Sequence, residues 1–154
     1  MNPPRLDVES LRRAPTFHAL SEPDCRALIQ CLRSRRCQAG DTLFQEGDPG
    51  NFLALISEGT LLATTRGPGG KLKTLARMGP GEVVGEMAFL DPTPRAATVT
   101  AVTDAVVHEL DRDSMDVLSA NVPGAARALI RASARSVARR LRRLEERIDH
   151  ELHR

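Results

Sequence analysis

The sequence predicts a mainly β fold, a sandwich or barrel with helices before and after it. Three observations lead there. Between Arg36 and Leu110, short apolar runs are cut at close intervals by Gly40-Asp41, Asp48-Pro49-Gly50, Gly67-Pro68-Gly69-Gly70 and Gly79-Pro80-Gly81. Short strands divided in this way build two-layered or closed β structures. On either side of that region, apolar residues recur at the period of a helix. Aromatic residues are only 3% of the 154, with no Trp or Tyr, so the core must be aliphatic, built from Leu, Val, Ile and Ala. A chain of this length is read as one domain, 1–154, with its β region at about 36–110 and C-terminal helices at about 111–150.

The elements follow in order. Residues 1–4 read as a loose terminus, and 6–13 as a short helix with Asp7 and Glu9 in its first turn. A clearer helix follows Ser21, whose hydroxyl caps a free amide. Pro23 falls in the first turn, where its missing N–H costs nothing. Candidate strands are 36–38, 42–45, 52–57, 60–66, 72–78, 83–84, 98–102 and 106–110, and the glycine cluster at 67–70 is a hairpin tip. Residues 111–120 read as a helix that Asn121-Val122-Pro123-Gly124 breaks. A long helix then runs from about 125 to 150. Its apolar residues Val137, Leu141, Leu144, Ile148 and Leu152 are spaced 4-3-4-4, close to a coiled-coil stripe, which covers either the domain's own surface or a second copy of the chain.

Composition excludes several classes. No apolar run approaches the length of a membrane span, and Met1-Asn2-Pro3-Pro4-Arg5 lacks the apolar segment of a signal peptide. A cytoplasmic chain without membrane association is expected. Cys25, Cys31 and Cys37 are odd in number and fit no zinc pattern, and reduced thiols suit the cytoplasm. His18, His108, His150 and His153 are scattered, and no Ser-His-Asp or Cys-His arrangement is present, so neither catalysis nor a metal is expected. The net charge of +2 is uneven. Residues 124–154 hold nine Arg against four acidic residues, a net +5, while the rest holds 13 basic and 16 acidic residues, a net −3.

The chemistry concentrates in 84–99, VGEMAFLDPTPRAATV. Gly85 and Glu86 open a short apolar turn, Met87, Ala88, Phe89 and Leu90. A loop with two prolines follows, and Arg95, Ala96 and Ala97 lead into a β-type run. A helix start leaves outward-pointing amides that suit a phosphate. An arginine fork grips the same group with two parallel hydrogen bonds. A nearby carboxylate accepts from a sugar hydroxyl, as the ribose acid of dinucleotide sites does. Small side chains at Ala88 and Ala96 allow a ligand close to the backbone.

This stretch resembles the phosphate-binding cassette of the cyclic nucleotide-binding domain family, roughly F-G-E-x-A-L, a variable loop, then R-A-A-T-V. Here the two halves stand as Val84-Gly85-Glu86-Met87-Ala88-Phe89 and Arg95-Ala96-Ala97-Thr98-Val99, after Gly79-Pro80-Gly81-Glu82. Val84 replaces the usual aromatic and Phe89 the usual leucine. The resemblance extends over about 15–150. It implies an eight-stranded antiparallel β-roll, related to the jelly roll, with N-terminal helices and a long C-terminal helix. It further implies a sensor of the catabolite-activator type, and the sequence reads as a stand-alone sensor, a subunit or a fragment of a longer protein. A cyclic purine nucleotide would sit with its phosphate on Arg95 and on amides around Met87, Ala88 and Ala96, and its ribose 2′-hydroxyl on Glu86. Gly85 and Ala97 complete the cassette, and Val84, Leu75 and Leu144 would meet the base. A Thr or Ser after the arginine favours cGMP in this family. Ala96 has no hydroxyl, so cAMP is the expected ligand and cGMP the variant. Without nucleotide, Arg95 is expected to be solvated or paired with Asp91 or Glu86.

The resemblance also implies how a signal leaves. The cassette moves inward, the terminal helix folds over the ligand, and a protein effector of unknown identity reads the change, with homodimerisation through that helix. The sequence stops at Arg154 without the helix-turn-helix of the transcriptional relatives, so sequence-specific DNA binding is not expected. Arg127, Arg131, Arg135, Arg139, Arg143 and Arg147 recur every fourth residue and wrap around the helix. They form a solvated face, or a docking surface for an acidic protein or nucleic acid. The alternative reading is a nucleotide-free dimerising adaptor that uses this basic helix.

Overall fold

A computed structural model describes residues 4–153 of the chain. Two short helices open it, α1 (Val8–Arg13) and α2 (Glu22–Cys31). Each starts on the cap its sequence provides: Asp7 Oδ1 accepts from Ser10 N–H at 2.7 Å and Ser21 Oγ from Asp24 N–H at 3.3 Å. Eight strands follow among the described residues: β1 (Arg33–Cys37), β2 (Thr42–Phe44), β3 (Phe52–Glu58), β4 (Leu61–Arg66), β5 (Leu72–Met78), β6 (Val83–Val84), β7 (Thr98–Ala101) and β8 (Ala105–Asp111). A five-residue helix, α3 (Glu86–Leu90), sits between β6 and β7. After β8 come α4 (Arg112–Asn121) and α5 (Pro123–Leu152).

The strands form two four-stranded sheets, β1-β8-β3-β6 and β2-β7-β4-β5, and every pairing is antiparallel. This is the expected antiparallel β-roll with flanking helices. At β3, β6 and β8 the first sheet is buried on both faces, which explains the unbroken apolar run of β3, while the edge strand β1 stays partly exposed. Ala54 and Ile56 point into the roll and pack with Phe44, Leu61, Met78, Val84 and Val107. Leu53 and Leu55 point the other way, with Leu110 of β8, into a second core that Phe17 and the helix residues Leu28, Leu118 and Leu129 complete. The second sheet turns one face to solvent, so β5 alternates Ala76 and Met78 inside with Leu75 and Arg77 outside.

Several boundaries shift by one to three residues from the sequence reading, and two of the shifts have a clear physical reason. The first strand begins at Arg33 rather than 36, because Arg33 and Ser34 pair with Glu109 and His108 across the sheet. A run as polar as Arg33-Ser34-Arg35-Arg36 has no local β signal, and its partner strand supplies the conformation. The long helix begins at Pro123, not near 125, because proline is well tolerated in the first helical turn. The expected break at Asn121-Val122-Pro123-Gly124 shrinks to Val122 alone, since α4 runs through Asn121 and α5 starts at Pro123, and Asp111 caps α4 by accepting from Ser114 N–H at 2.7 Å. Residues 1–3 of the anticipated loose terminus lie outside the described residues.

The join between β4 and the preceding strand shows why one glycine cannot change. Gly59 has φ +87°, and a Cβ there would collide with Asp104 O and Ala105. It closes the turn that lets β3 and β4 enter different sheets.

Candidate functional site

The residues of 84–99 gather at one end of the roll. β6 pairs with β3 and ends on the fully buried Val84. The chain then turns at Gly85, whose φ of +77° lies in the left-handed region. A Cβ there would also overlap Arg95 Nη1, so glycine is required twice over. The turn places Glu86 at the first position of α3 and directs its carboxylate inward, where it is 0% exposed. Met87 is exposed. Ala88 lies in α3, with its side chain outside the described set.

Arg95 reaches the same spot from the loop before β7. That loop is fastened to the β2–β3 connection: Pro94 bridges Pro49, Arg95 N–H donates to Asp48 O at 2.8 Å, and Gly47 N–H donates to Arg95 O at 2.8 Å. The Arg95 side chain is 3% exposed. Its Nη1 donates to Gly85 O at 2.9 Å and its Nη2 to Phe52 O at 2.6 Å. The guanidinium carbon lies 3.9 Å from the Phe44 ring centroid and 4.7 Å from that of Phe52. Burial pulls its pKa down, and the fields of Asp48 and Glu109 oppose that. The expectation that Arg95 is solvated or paired with Asp91 or Glu86 is therefore corrected. Two carbonyls and two phenyl rings satisfy the cation inside the protein, while Asp91 stays exposed.

Glu86 pairs instead with Arg140, which enters from α5. The docking of α5 explains how. Ser136, one helical turn earlier, accepts from Val83 N–H at 3.0 Å, so the next turn stands over Glu86. Arg140 is pulled below the usual arginine pKa by burial, raised again by Glu82 and lowered by Arg143. One turn further, Arg143 Nη1 donates to Arg77 O at 3.2 Å and Nη2 lies 4.0 Å from Glu82 Oε1. Among the described residues, Glu86 Oε2 and Arg95 Nε find no hydrogen-bond partner. Buried polar groups of this kind are uncommon and mark a site built for something besides packing.

These groups surround a hollow of about 60 Å³. Val84, Gly85, Glu86, Met87, Arg95, Ala96 and Ala97 all line it, so seven of the expected binding residues are brought together. Leu75 and Leu144 do not line it; both are exposed, on β5 and α5. The volume is far below the roughly 300–1,000 Å³ of ordinary small-molecule pockets. A nucleotide requires these walls to part.

The sequence reading did not single out Phe44, Met78 or Arg140, which also line the hollow. Phe44 and Met78 belong to strands that meet the cassette only through the sheets. For Arg140 a signal existed. Ala132, Ser133 and Ser136 mark a small-residue face of α5 that packs on the roll, and residue 140 continues that face by one turn.

No helix of the described residues is long and apolar enough to cross a membrane, and among them no cluster of three or more His, Cys, Asp or Glu is arranged to hold a metal. The profile of the family described as "Cyclic nucleotide-binding domain" matches residues 34–121. A CRP-like cAMP-activated global transcriptional regulator of Mycobacterium tuberculosis is 34% identical over 135 residues, covering 88% of this chain and 58% of the relative. The chain thus spans 58% of the length of that relative. A Streptomyces coelicolor structure, the N-terminal domain of a transcriptional regulator, matches with TM-score 0.70 and 38% identity over 89% of this chain and 95% of the other. A cyclic nucleotide-binding domain from Methylobacillus flagellatus matches with TM-score 0.82 and 27% identity over 94% and 81%. With the cassette, the β-roll and these likenesses in agreement, the chain belongs to the cyclic nucleotide-binding domain family, of the catabolite-activator type.

Proposed function

We propose that residues 1–154 act as one regulatory domain that binds cAMP in the cytoplasm and passes the event to a protein partner through α5. The observation that carries this reading is that a fully buried carboxylate, Glu86, and a buried guanidinium, Arg95, line the same hollow. In the proposed complex Arg95 leaves Gly85 O and Phe52 O to grip the cyclic phosphate, helped by amides around Met87, Ala88 and Ala96. Glu86 accepts from the ribose 2′-hydroxyl. Val84 flanks the purine, with Leu75 and Leu144 closing on it once the hollow opens. Ala96 offers no hydroxyl to a guanine amino group, so cAMP is preferred to cGMP. The domain works as a binding switch rather than an enzyme.

The signal leaves by α5 because this helix touches the cassette through Glu86 and Val83 and carries an unpartnered apolar stripe. Ile130, Leu141, Leu144, Ile148 and Leu152 are all exposed, with Val137 half-buried between them. Spacing near a heptad suits a second copy of the same helix, giving a homodimer.

The closed hollow favours a second reading. At about 60 Å³, with Arg95 caged and Glu86 taken by Arg140, the same fold serves a dimerising adaptor that binds no nucleotide. Thermal unfolding with and without cAMP and cGMP separates the two, since a ligand of the native state raises the melting temperature. The sensor reading expects a rise with cAMP, larger than with cGMP. No rise with either nucleotide supports the adaptor.

A further inference from the structure

We propose that Arg140 is itself a residue of the nucleotide site and acts there as an internal competitor: it neutralises Glu86 from α5 and must leave before a ribose can reach that carboxylate. The inference rests on the proposed nucleotide site. Three observations carry it. Glu86 is 0% exposed and its carboxylate is paired with Arg140, so the acid that would receive a ribose hydroxyl is already engaged by a helix from the far end of the chain. Arg140 also lines the hollow, whose volume of about 60 Å³ leaves no room for a nucleotide while the guanidinium is in place. The contact belongs to a seam of α5 contacts along the cassette side of the roll, with Ser136 on Val83 N–H, Arg140 on Glu86, and Arg143 on Arg77 O and Glu82.

The consequence is a coupling of fixed sign. Arg140 engages Glu86 Oε1 and fills the approach to the unpartnered Oε2, and the hollow of about 60 Å³ has no space for a ribose beside the guanidinium, so nucleotide and docked helix exclude each other there. Any ligand that wins Glu86 shifts α5 away from its seam by the difference in its affinity for the two arrangements. By the same linkage, the docked helix lowers the apparent affinity in proportion to the fraction of molecules it holds closed. This runs opposite to a helix that only folds over ligand already bound. Arg140 is a negative element of the site before it is a lid.

The test uses the full chain, with Arg140→Ala, Arg140→Gln and the exposed neighbour Arg139→Ala as control. Calorimetric titration with cAMP is expected to show Arg140→Ala binding about tenfold more tightly than wild type, within the range usual for coupled sites. Arg140→Gln should gain less and Arg139→Ala nothing. Hydrogen exchange without nucleotide is expected to speed up in the α5 amides around Ser136 to Leu144 of the Arg140 variants only. If Arg140→Ala fails to melt cooperatively, Arg140→Gln carries the comparison. Equal or weaker binding by the Arg140 variants, beside a wild type that binds, overturns the competitor role and leaves the site standing. Binding by no variant, wild type included, overturns the nucleotide site and the competitor together.

Discussion

The guanidinium of Arg95 lies over the ring of Phe44, its carbon 3.9 Å from the ring centroid, in a chain with only four phenylalanines. The same cation donates to Phe52 O and Gly85 O, so a side chain that would hold phosphate is stored inside the roll by a ring and two carbonyls. Phe44→Leu keeps an apolar side chain there and removes the aromatic face. A desolvated cation–π contact contributes up to about 2 kcal/mol. Urea unfolding is expected to show a loss of about 1–2 kcal/mol. Since storage and phosphate compete for Arg95, cAMP affinity in this variant should rise rather than fall.

Gly85→Ala combines two faults. The residue must adopt a left-handed φ of +77°, and its new methyl group must occupy space held by Arg95 Nη1. Backbone strain of this kind costs about 1–3 kcal/mol. A lower urea midpoint is expected, together with weaker cAMP binding because Arg95 and Glu86 are both displaced. Unchanged stability in this variant would show that the turn can be built another way.

How much of this was legible in the sequence depends on the range over which each feature is determined. The cassette was legible because Gly85, Glu86 and Arg95 lie within eleven residues and their spacing carries the chemistry. The strand series was legible from its glycine and proline turns, and the helix start at Ser21 from its local cap. The first half of β1 was not, because Arg33 and Ser34 take their conformation from β8, more than seventy residues away. The location of Arg95 was misjudged for a similar reason. Its cage comes from Phe44 and Phe52, and the sheet topology brings them together. Arg140 read as one arginine among many, although the small-residue face of Ala132, Ser133 and Ser136 marks the docked side of α5 that it continues.

His108 makes a pH prediction. It is 1% exposed on β8 and held between two serines, with Nδ1 2.8 Å from Ser34 Oγ and Nε2 2.8 Å from Ser57 Oγ. The Ser57 hydroxyl donates to Val106 O at 3.3 Å. Its oxygen therefore accepts from Nε2–H, and Nδ1 accepts from Ser34, which is the neutral imidazole. Burial holds its pKa below the usual histidine value. The unfolded chain then binds the proton more readily, so this contribution is complete above about pH 6.5 and is lost as the pH falls through the folded-state value. The urea midpoint is expected to drop between pH 7 and 5.5, with a flatter profile in His108→Asn. An identical slope in that variant would assign the effect to other groups.

The exposed stripe on α5 predicts self-association. Leu141 and Leu144 are adjacent knobs of the proposed coiled coil, and both are about half exposed. Sedimentation of wild type is expected to give a dimer, and Leu141→Lys with Leu144→Lys a monomer of unchanged melting temperature. A monomeric wild type at high concentration would mean that the stripe serves another partner or none.

The central claim is that Arg95 and Glu86 form one nucleotide site, and calorimetric titration of the full chain with cAMP tests it most directly. Wild type is expected to bind with a Kd of about 1 µM or tighter, Arg95→Ala to lose most of that affinity, and Glu86→Gln to lose less because the phosphate grip remains. A wild type that binds neither cAMP nor cGMP, or an Arg95→Ala variant that binds as well as wild type, would contradict the account.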